Sequence, residues 1–328
     1  MNSLTNSDNF AYVSIQPKPF AKLADNVITM MQTTTKNNEI PMDSNDIAVK
    51  WINQVKGLVS PPDICIRIFE LIESQMASTK QLGDVISQDP NLSARLLKIV
   101  NSPYYHFSNR IDTVSRAITV IGIRELSSLV LAVSAAKSFS NIPNELVNID
   151  TFWRHSIYTA LIARELAKRC DILHPERLFV AGLMHDIGSL IIYNRVPDVA
   201  KAILIQSNGN EQTLYQLEKD LLSTSHAQIG GLLLDSWMLP KILRDAIMFH
   251  HEPALCETAP VEATIVHIAE ALANASIIGG YCSEACGQDE IAPEAWDTLR
   301  INPANLNTDE LIGAAGLQFS DMNESLNG

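Results

Sequence analysis

From about residue 46 to 300 the apolar positions recur every three or four residues, with few alternating β-branched runs. That spacing predicts helix after helix. Ser44 or Asp46 can cap a first helix running through Leu58, which Ser60-Pro61-Pro62 ends. Asp63–Ser74 places Ile64, Ile68, Leu71 and Ile72 on one face. A short helix stops at Gln88-Asp89-Pro90, because the residue before a proline resists the α region. Pro90 then opens a helix carrying Leu92, Leu96, Leu97 and Val100, which Asn101-Ser102-Pro103 closes. Arg124–Phe139 is the most apolar helix of this half. After the Asn141-Ile142-Pro143-Asn144 break, helices are predicted near 150–169, 176–195, 197–207, 211–223, 226–236, 239–252 and 261–276. The fold class is all-α. Residues 1–45 contain Gln16-Pro17-Lys18-Pro19 and a polar run from Gln32 to Asn38, and read as a poorly ordered leader. The tail, 277–328, is rich in small and acidic residues and is expected to hold short helices.

Composition narrows the class. A chain of 328 residues, 46% hydrophobic and 19% charged, is long enough for two ordinary domains with a sizeable core. Its apolar runs, such as Leu129–Val133, fall far short of the ~20 residues that span a bilayer. The first 20 residues lack the basic start and apolar stretch of a secretory signal. Five cysteines, an odd number scattered along the chain, argue against a disulfide framework and for a reducing compartment. These features read as a cytoplasmic protein without a membrane partner. A net charge of -13 repels polyphosphate backbones and disfavours general nucleic-acid binding.

The candidate chemistry lies in histidines and carboxylates on predicted helices. His155 lines up with Thr159, Ile162 and Leu166 and so points to the apolar side. His185-Asp186, between Leu183-Met184 and Ile187-Gly188, buries two ionisable groups that need partners. His226 follows a helix start where Ser225 and Gln228 can form a capping box. His250-His251-Glu252 occupies the last turn of a helix stopped by Pro253. Glu270 falls off the Ile265/Ile268/Leu272 line and is the weakest candidate, while His267 reads as solvated and as a surface pair with Glu270. Cys282-x-x-x-Cys286 lacks a second pair and reads as structural. Each residue also has a plainer reading: His155 as a hydrogen-bonded core group, His226 as part of a cap, His250-His251 as a polar helix end. Imidazole and carboxylate are donors shared by Zn²⁺, Mn²⁺ and Fe²⁺, and a helical bundle gathers such donors from several helices. One or two such ions are expected.

His155, His185-Asp186 in Gly182-Leu-Met-His-Asp-Ile-Gly188, and an acidic residue near 270 resemble the His…His-Asp…Asp pattern of the HD superfamily of metal-dependent phosphohydrolases. The closer resemblance is to the HDOD family. It is carried by Leu58-Val-Ser-Pro-Pro62, Ile86-Ser-Gln-Asp-Pro90, Leu96-Leu-Lys-Ile-Val-Asn-Ser102 and Ala117-Ile-Thr-Val-Ile-Gly122, and covers about residues 46–275. The resemblance implies an N-terminal helical subdomain, 46–144, packed on an HD-like bundle, 145–276. It also implies a bacterial signal-transduction module that works by contact with a signalling protein. Many relatives have lost the metal donors. Here His226, His250 and His251 look like the additional ligands of HD-GYP phosphodiesterases.

Three departures from the HD-GYP pattern bear on activity. Glu270 stands where Asp is usual, Ser189 where those enzymes carry a phosphate-holding lysine, and Pro253–Pro260 replaces the Gly-Tyr-Pro segment. These count against hydrolysis of a cyclic dinucleotide. The leading expectation is a signalling protein with a retained metal site built from His155, His185, Asp186, His226, His250, His251 and Glu270. The alternative is a metal-dependent phosphohydrolase or phosphodiesterase acting on a nucleotide-like phosphate ester. Asp186 would then be catalytic, bridging two metals and orienting the attacking hydroxide, with Arg154 or Lys241 reaching the phosphate. A third expectation is a helical scaffold whose histidines are buried neutral without metal.

Overall fold

Capping chemistry written in the sequence, from Ser78, Asp89 and Thr113, sets three of the helix starts described in the N-terminal half. The structure is a computed structural model that describes residues 44–55, 63–73, 78–102, 105, 107, 109–139, 146–281, 291 and 293–327. The leader, apart from its last two residues, and the Cys282/Cys286 pair lie outside them. Six helices come first: α1 (Ser44–Val55), α2 (Asp63–Glu73), α3 (Thr79–Ile86), α4 (Pro90–Val100), α5 (Val114–Ile121) and α6 (Ile123–Phe139). Ser78 and Gln81 form a reciprocal capping box on α3, and Asp89 accepts from the Asn91 and Leu92 backbone ahead of α4. Asn101 staples the following loop: its amide donates to Leu97 O and Ile111 O and accepts from the Ile111 N–H, each at 2.7 Å. Gly122, at φ 87°, supplies the backbone turn between α5 and α6 that other residues resist.

The second half holds α7 (Ile149–Arg169), α8 (Glu176–Met184), α9 (Ile187–Arg195), α10 (Pro197–Ser207), α11 (Glu211–Leu222), α12 (His226–Ser236), α13 (Lys241–Met248) and α14 (Pro260–Asn274). The tail adds α15 (Pro293–Leu299) and α16 (Thr308–Asn327). The protein is all-α, and no strand occurs among the described residues. No single helix among them is long and apolar enough to cross a membrane. The central element is α7, buried from Phe152 to Ala167 on nearly every side and packed against α8, α14 and α16.

Four elements differ from the sequence expectation. The helix expected over 176–195 breaks at His185-Asp186, where Asp186 leaves helical geometry at φ -95° and ψ 5°. The helix expected to run to 252 ends at Met248, so His250 and His251 sit in a turn. Both breaks put ionisable residues where side chains can turn inward rather than follow a helix face. The tail helix α16 has 20 residues rather than a few, and is held across α7 by Tyr158 Oη donating to Ile312 O at 2.7 Å. Finally, α1 buries Ala48, Ile52 and Val55 and packs against α9 and α12, within the bundle half.

Candidate metal centre

Five segments converge on one buried point. His155 comes from α7, His185-Asp186 from the break between α8 and α9, His226 from the first residue of α12, His250-His251 from the turn after α13, and Glu270 from α14. None of these seven residues is more than 6% exposed. Glycines bring their helices close enough. A Cβ on Gly188 would lie 2.1 Å from His226 O, and one on Gly182 would lie 2.8 Å from Ala160 Cα.

Three of the imidazoles share one arrangement. Nδ1 of His155 faces Gly279 O at 2.9 Å, that of His185 faces Gly182 O at 2.8 Å, and that of His250 faces Ile247 O at 2.6 Å. A carbonyl only accepts, so Nδ1 carries the proton and Nε2 is left as a bare lone pair. His226 differs, since its Nδ1 faces the Glu218 carboxylate at 2.7 Å.

The Nε2 atoms then crowd one another and the carboxylates. His155 Nε2 and His185 Nε2 are 3.3 Å apart, and Asp186 Oδ2 lies 3.2 Å from the second and 3.8 Å from the first. In the other half, His226 Nε2 is 2.9 Å from His251 Nε2 and 3.4 Å from Asp186 Oδ1. Glu270 closes the set, with Oε1 at 4.0 Å from His185 and 3.8 Å from His251, and Oε2 at 3.7 Å from His250. Asp186 Oδ1 and His250 Nε2 are buried and make no hydrogen bond. Buried acceptors aimed at each other are costly, and each unsatisfied one costs about 1–3 kcal/mol. One proton relieves one such contact, whereas a divalent cation relieves several at once. The donor set therefore fits an ion. Groups of donors within 4.8 Å of one another are His155/His185/Asp186, His226/His250/His251 and Asp186/His250/Glu270.

The electrostatics differ from residue to residue. Burial, then the neighbouring His185, pushes His155 down to about 4. Burial and adjacent imidazoles hold His250 and His251 well below the usual range. Burial would also lower His226, but the surrounding carboxylates, Glu218 foremost with Asp186 and Glu211, together outweigh it and push the ring up to about 9. Burial alone would raise Asp186. The surrounding imidazoles, His185 foremost, instead hold it well below the ordinary carboxylate value.

All seven sequence candidates thus meet, including Glu270, whose place off the core line suggested the periphery. That expectation assumed a one-sided helix. Instead α14 is wedged between α7, α8 and α13 and is buried from Ala263 to Ala273 with one part-buried exception, His267. His267 is not solvated: its Nδ1 is buried, and burial lowers its pKa. The cap on His226 is only half a capping box. Ser225 accepts from Gln228 N, while the Gln228 amide reaches Ser44 and Asn45 of α1. Glu252 turns outward to Tyr215 Oη at 2.7 Å and Lys219 Nζ at 3.0 Å. Arg154 Nη2 donates to Gly280 O at 3.0 Å, next to the carbonyl that holds His155. Lys241 lies on an exposed face, 3.9 Å from Asp245 Oδ2.

Three supporting residues escaped the sequence reading. Tyr281 donates to Asp186 Oδ2 at 3.0 Å and stacks on His155 with ring centroids 4.4 Å apart. Tyr215 stacks on His251 at 4.7 Å. Glu218 was legible in principle, as a carboxylate on the apolar stripe of α11.

The sequence profile of the HDOD domain matches residues 58–253. The chain belongs to the HDOD domain family. An HDOD domain protein of unknown function from Geobacter sulfurreducens superimposes with a TM-score of 0.67 at 22% identity, covering 87% of this chain and 97% of its own. A candidate phosphohydrolase from Shewanella amazonensis gives 0.65 at 24%, covering 85% and 98%. At these identities the likeness speaks for the fold. An uncharacterized protein of Treponema pallidum is 27% identical over 229 residues, 69% of this chain and 44% of that relative. The chain spans less than half the length of the curated relatives it matches. The HDOD match ends at residue 253, so the seventh donor, Glu270, lies beyond it.

Proposed function

We propose that this HDOD protein is a signalling module whose HD-type centre holds one or two divalent ions, Fe, Mn or Zn, and which acts mainly through contact with a partner protein. His155, His185 and Asp186 would hold an ion on one side, and His226, His250 and His251 on the other, with Asp186 and Glu270 between. A bound ion would supply the positive charge that the facing lone pairs and carboxylates lack, and its binding energy would add to the stability of the folded bundle.

The observation that carries this reading is enclosure. Catalytic metal sites keep an open coordination position facing a substrate cleft. Here no donor residue exceeds 6% exposure, and Ser189, in the place of a phosphate-holding lysine, is itself 4% exposed. A phosphate ester would need the shell to open.

One observation favours the alternative, a metal-dependent phosphohydrolase acting on a nucleotide-like ester. Asp186 turns Oδ2 toward His155 and His185 and Oδ1 toward His226, the placement a carboxylate shared by two metals requires. Elemental analysis of protein purified without chelators or a metal column separates the readings. One to two equivalents of metal, lost in Asp186→Ala, with no turnover of phosphodiester or nucleotide substrates and a lowered Tm in the variant, is the expected result. Turnover abolished by His185→Ala in a protein that stays folded would instead establish the hydrolase. Metal below about a tenth of an equivalent after reconstitution would remove the centre altogether.

A further inference from the structure

The inward stripe of α11 carries Glu211, Tyr215, Glu218 and Leu222, spaced as one helix face, and all four are buried. Two carboxylates on a buried stripe require a reason, because a buried charge is costly unless it is paired. Glu218 is 2% exposed, and its Oε2 accepts both N–H groups of a single residue: the His226 backbone N–H at 2.8 Å and Nδ1–H at 2.7 Å. Capping does not account for the charge. Ser225 already caps α12 by accepting from Gln228 N, and a neutral side-chain oxygen could take the same two N–H groups. The three other imidazoles of the cluster with an Nδ1 partner are held by backbone carbonyls, which fix the ring without adding charge. The carboxylate answers positive charge on the His226 ring, carried by a proton in the metal-free chain, and a divalent cation arriving at Nε2 on the far side of the ring would take that proton's place.

We propose that Glu218 is a positioning residue of the metal centre. It fixes His226 with Nδ1 protonated and Nε2 bare, and its charge strengthens that nitrogen as a donor to a divalent ion. This inference rests on the reading of the cluster as a metal centre.

The test uses the full chain, stripped of metal and titrated with Zn²⁺ against a chromophoric chelator, and loaded separately with Co²⁺ for its visible spectrum. Glu218→Gln keeps the shape and the acceptor but removes the charge. It is expected to weaken Zn²⁺ about tenfold to a hundredfold, the range for such supporting partners, and to shift the Co²⁺ bands. Leu214→Ala, on the same helix and buried, is the control: it should lower Tm without moving the Co²⁺ bands. Glu218→Asp, which keeps the charge on a shorter arm, should fall between wild type and Glu218→Gln, and it carries the test if the glutamine variant does not fold. Wild-type affinity and spectrum in the glutamine or aspartate variant would overturn the proposal, as would Leu214→Ala matching Glu218→Gln in both readouts. If the wild-type chain binds neither ion, the centre itself fails and takes the proposal with it.

Discussion

The two halves of the cluster are built from the same donor type and held in different ways. On the His155/His185 side the rings hang from backbone carbonyls, Gly279 O and Gly182 O, so their orientation is fixed by neutral acceptors. On the His226/His251 side one ring is backed by the Glu218 carboxylate and the other is covered by the Tyr215 ring. When no metal is bound, burial and then the neighbouring His185 favour a neutral His155, while the carboxylates around His226, Glu218 foremost, outweigh its burial and let it retain a proton. Identical ligands thus differ in what an arriving ion must displace: little on one side, a bound proton on the other.

The contrast fails first if the halves are pushed apart. Gly188→Ala would place a methyl 2.1 Å from the backbone oxygen of His226, which cannot move as a side-chain tip can. Overpacking of this kind is expected to cost about 3 kcal/mol or more and to abolish metal uptake on both sides; thermal unfolding and metal content check it.

A pH series on metal-free protein sharpens the comparison. His226 rises from 6.5 to about 9 in the folded state, so the folded form binds more protons in that interval. Its contribution is complete below 6.5 and is lost as pH rises through about 9. His155 falls from 6.5 to about 4, so its contribution is complete above 6.5 and is lost as pH drops through about 4. Tm measured against pH should decline on both flanks, with Glu218→Gln flattening the alkaline one. A flank unchanged in that variant would show that His226 is not what titrates there.

The smallest effect is expected from Tyr281→Phe, which removes one hydrogen bond to Asp186 Oδ2. A loss of about 1 kcal/mol, or several-fold in metal affinity confined to the His155/His185 side, would distinguish a supporting hydroxyl from a donor. Isothermal titration resolving two binding events would detect it.

Much of the fold was legible because helix periodicity and capping act locally. Asp89-Pro90 and Ser78/Gln81 behave as their local chemistry requires, each capping backbone groups within three residues. His155 and His185-Asp186 were legible for a related reason: ionisable groups on an apolar face must meet partners somewhere in the core. Glu270 and His267 were misjudged because periodicity assigns one inner face to a helix, and α14 is packed on several sides.

The sequence by itself determined the class of the protein, its helical segments and its set of possible donors, since these follow from residue type and spacing within one or two turns. Only the tertiary structure decided which way His185, Asp186, His250 and His251 turn, because that depends on where two helices stop. It alone brought Glu218, Tyr281 and the Gly279 carbonyl to the rings they orient, across separations of 8 to 124 residues. Long-range pairing of this kind is set by how whole helices pack, and no local pattern encodes it.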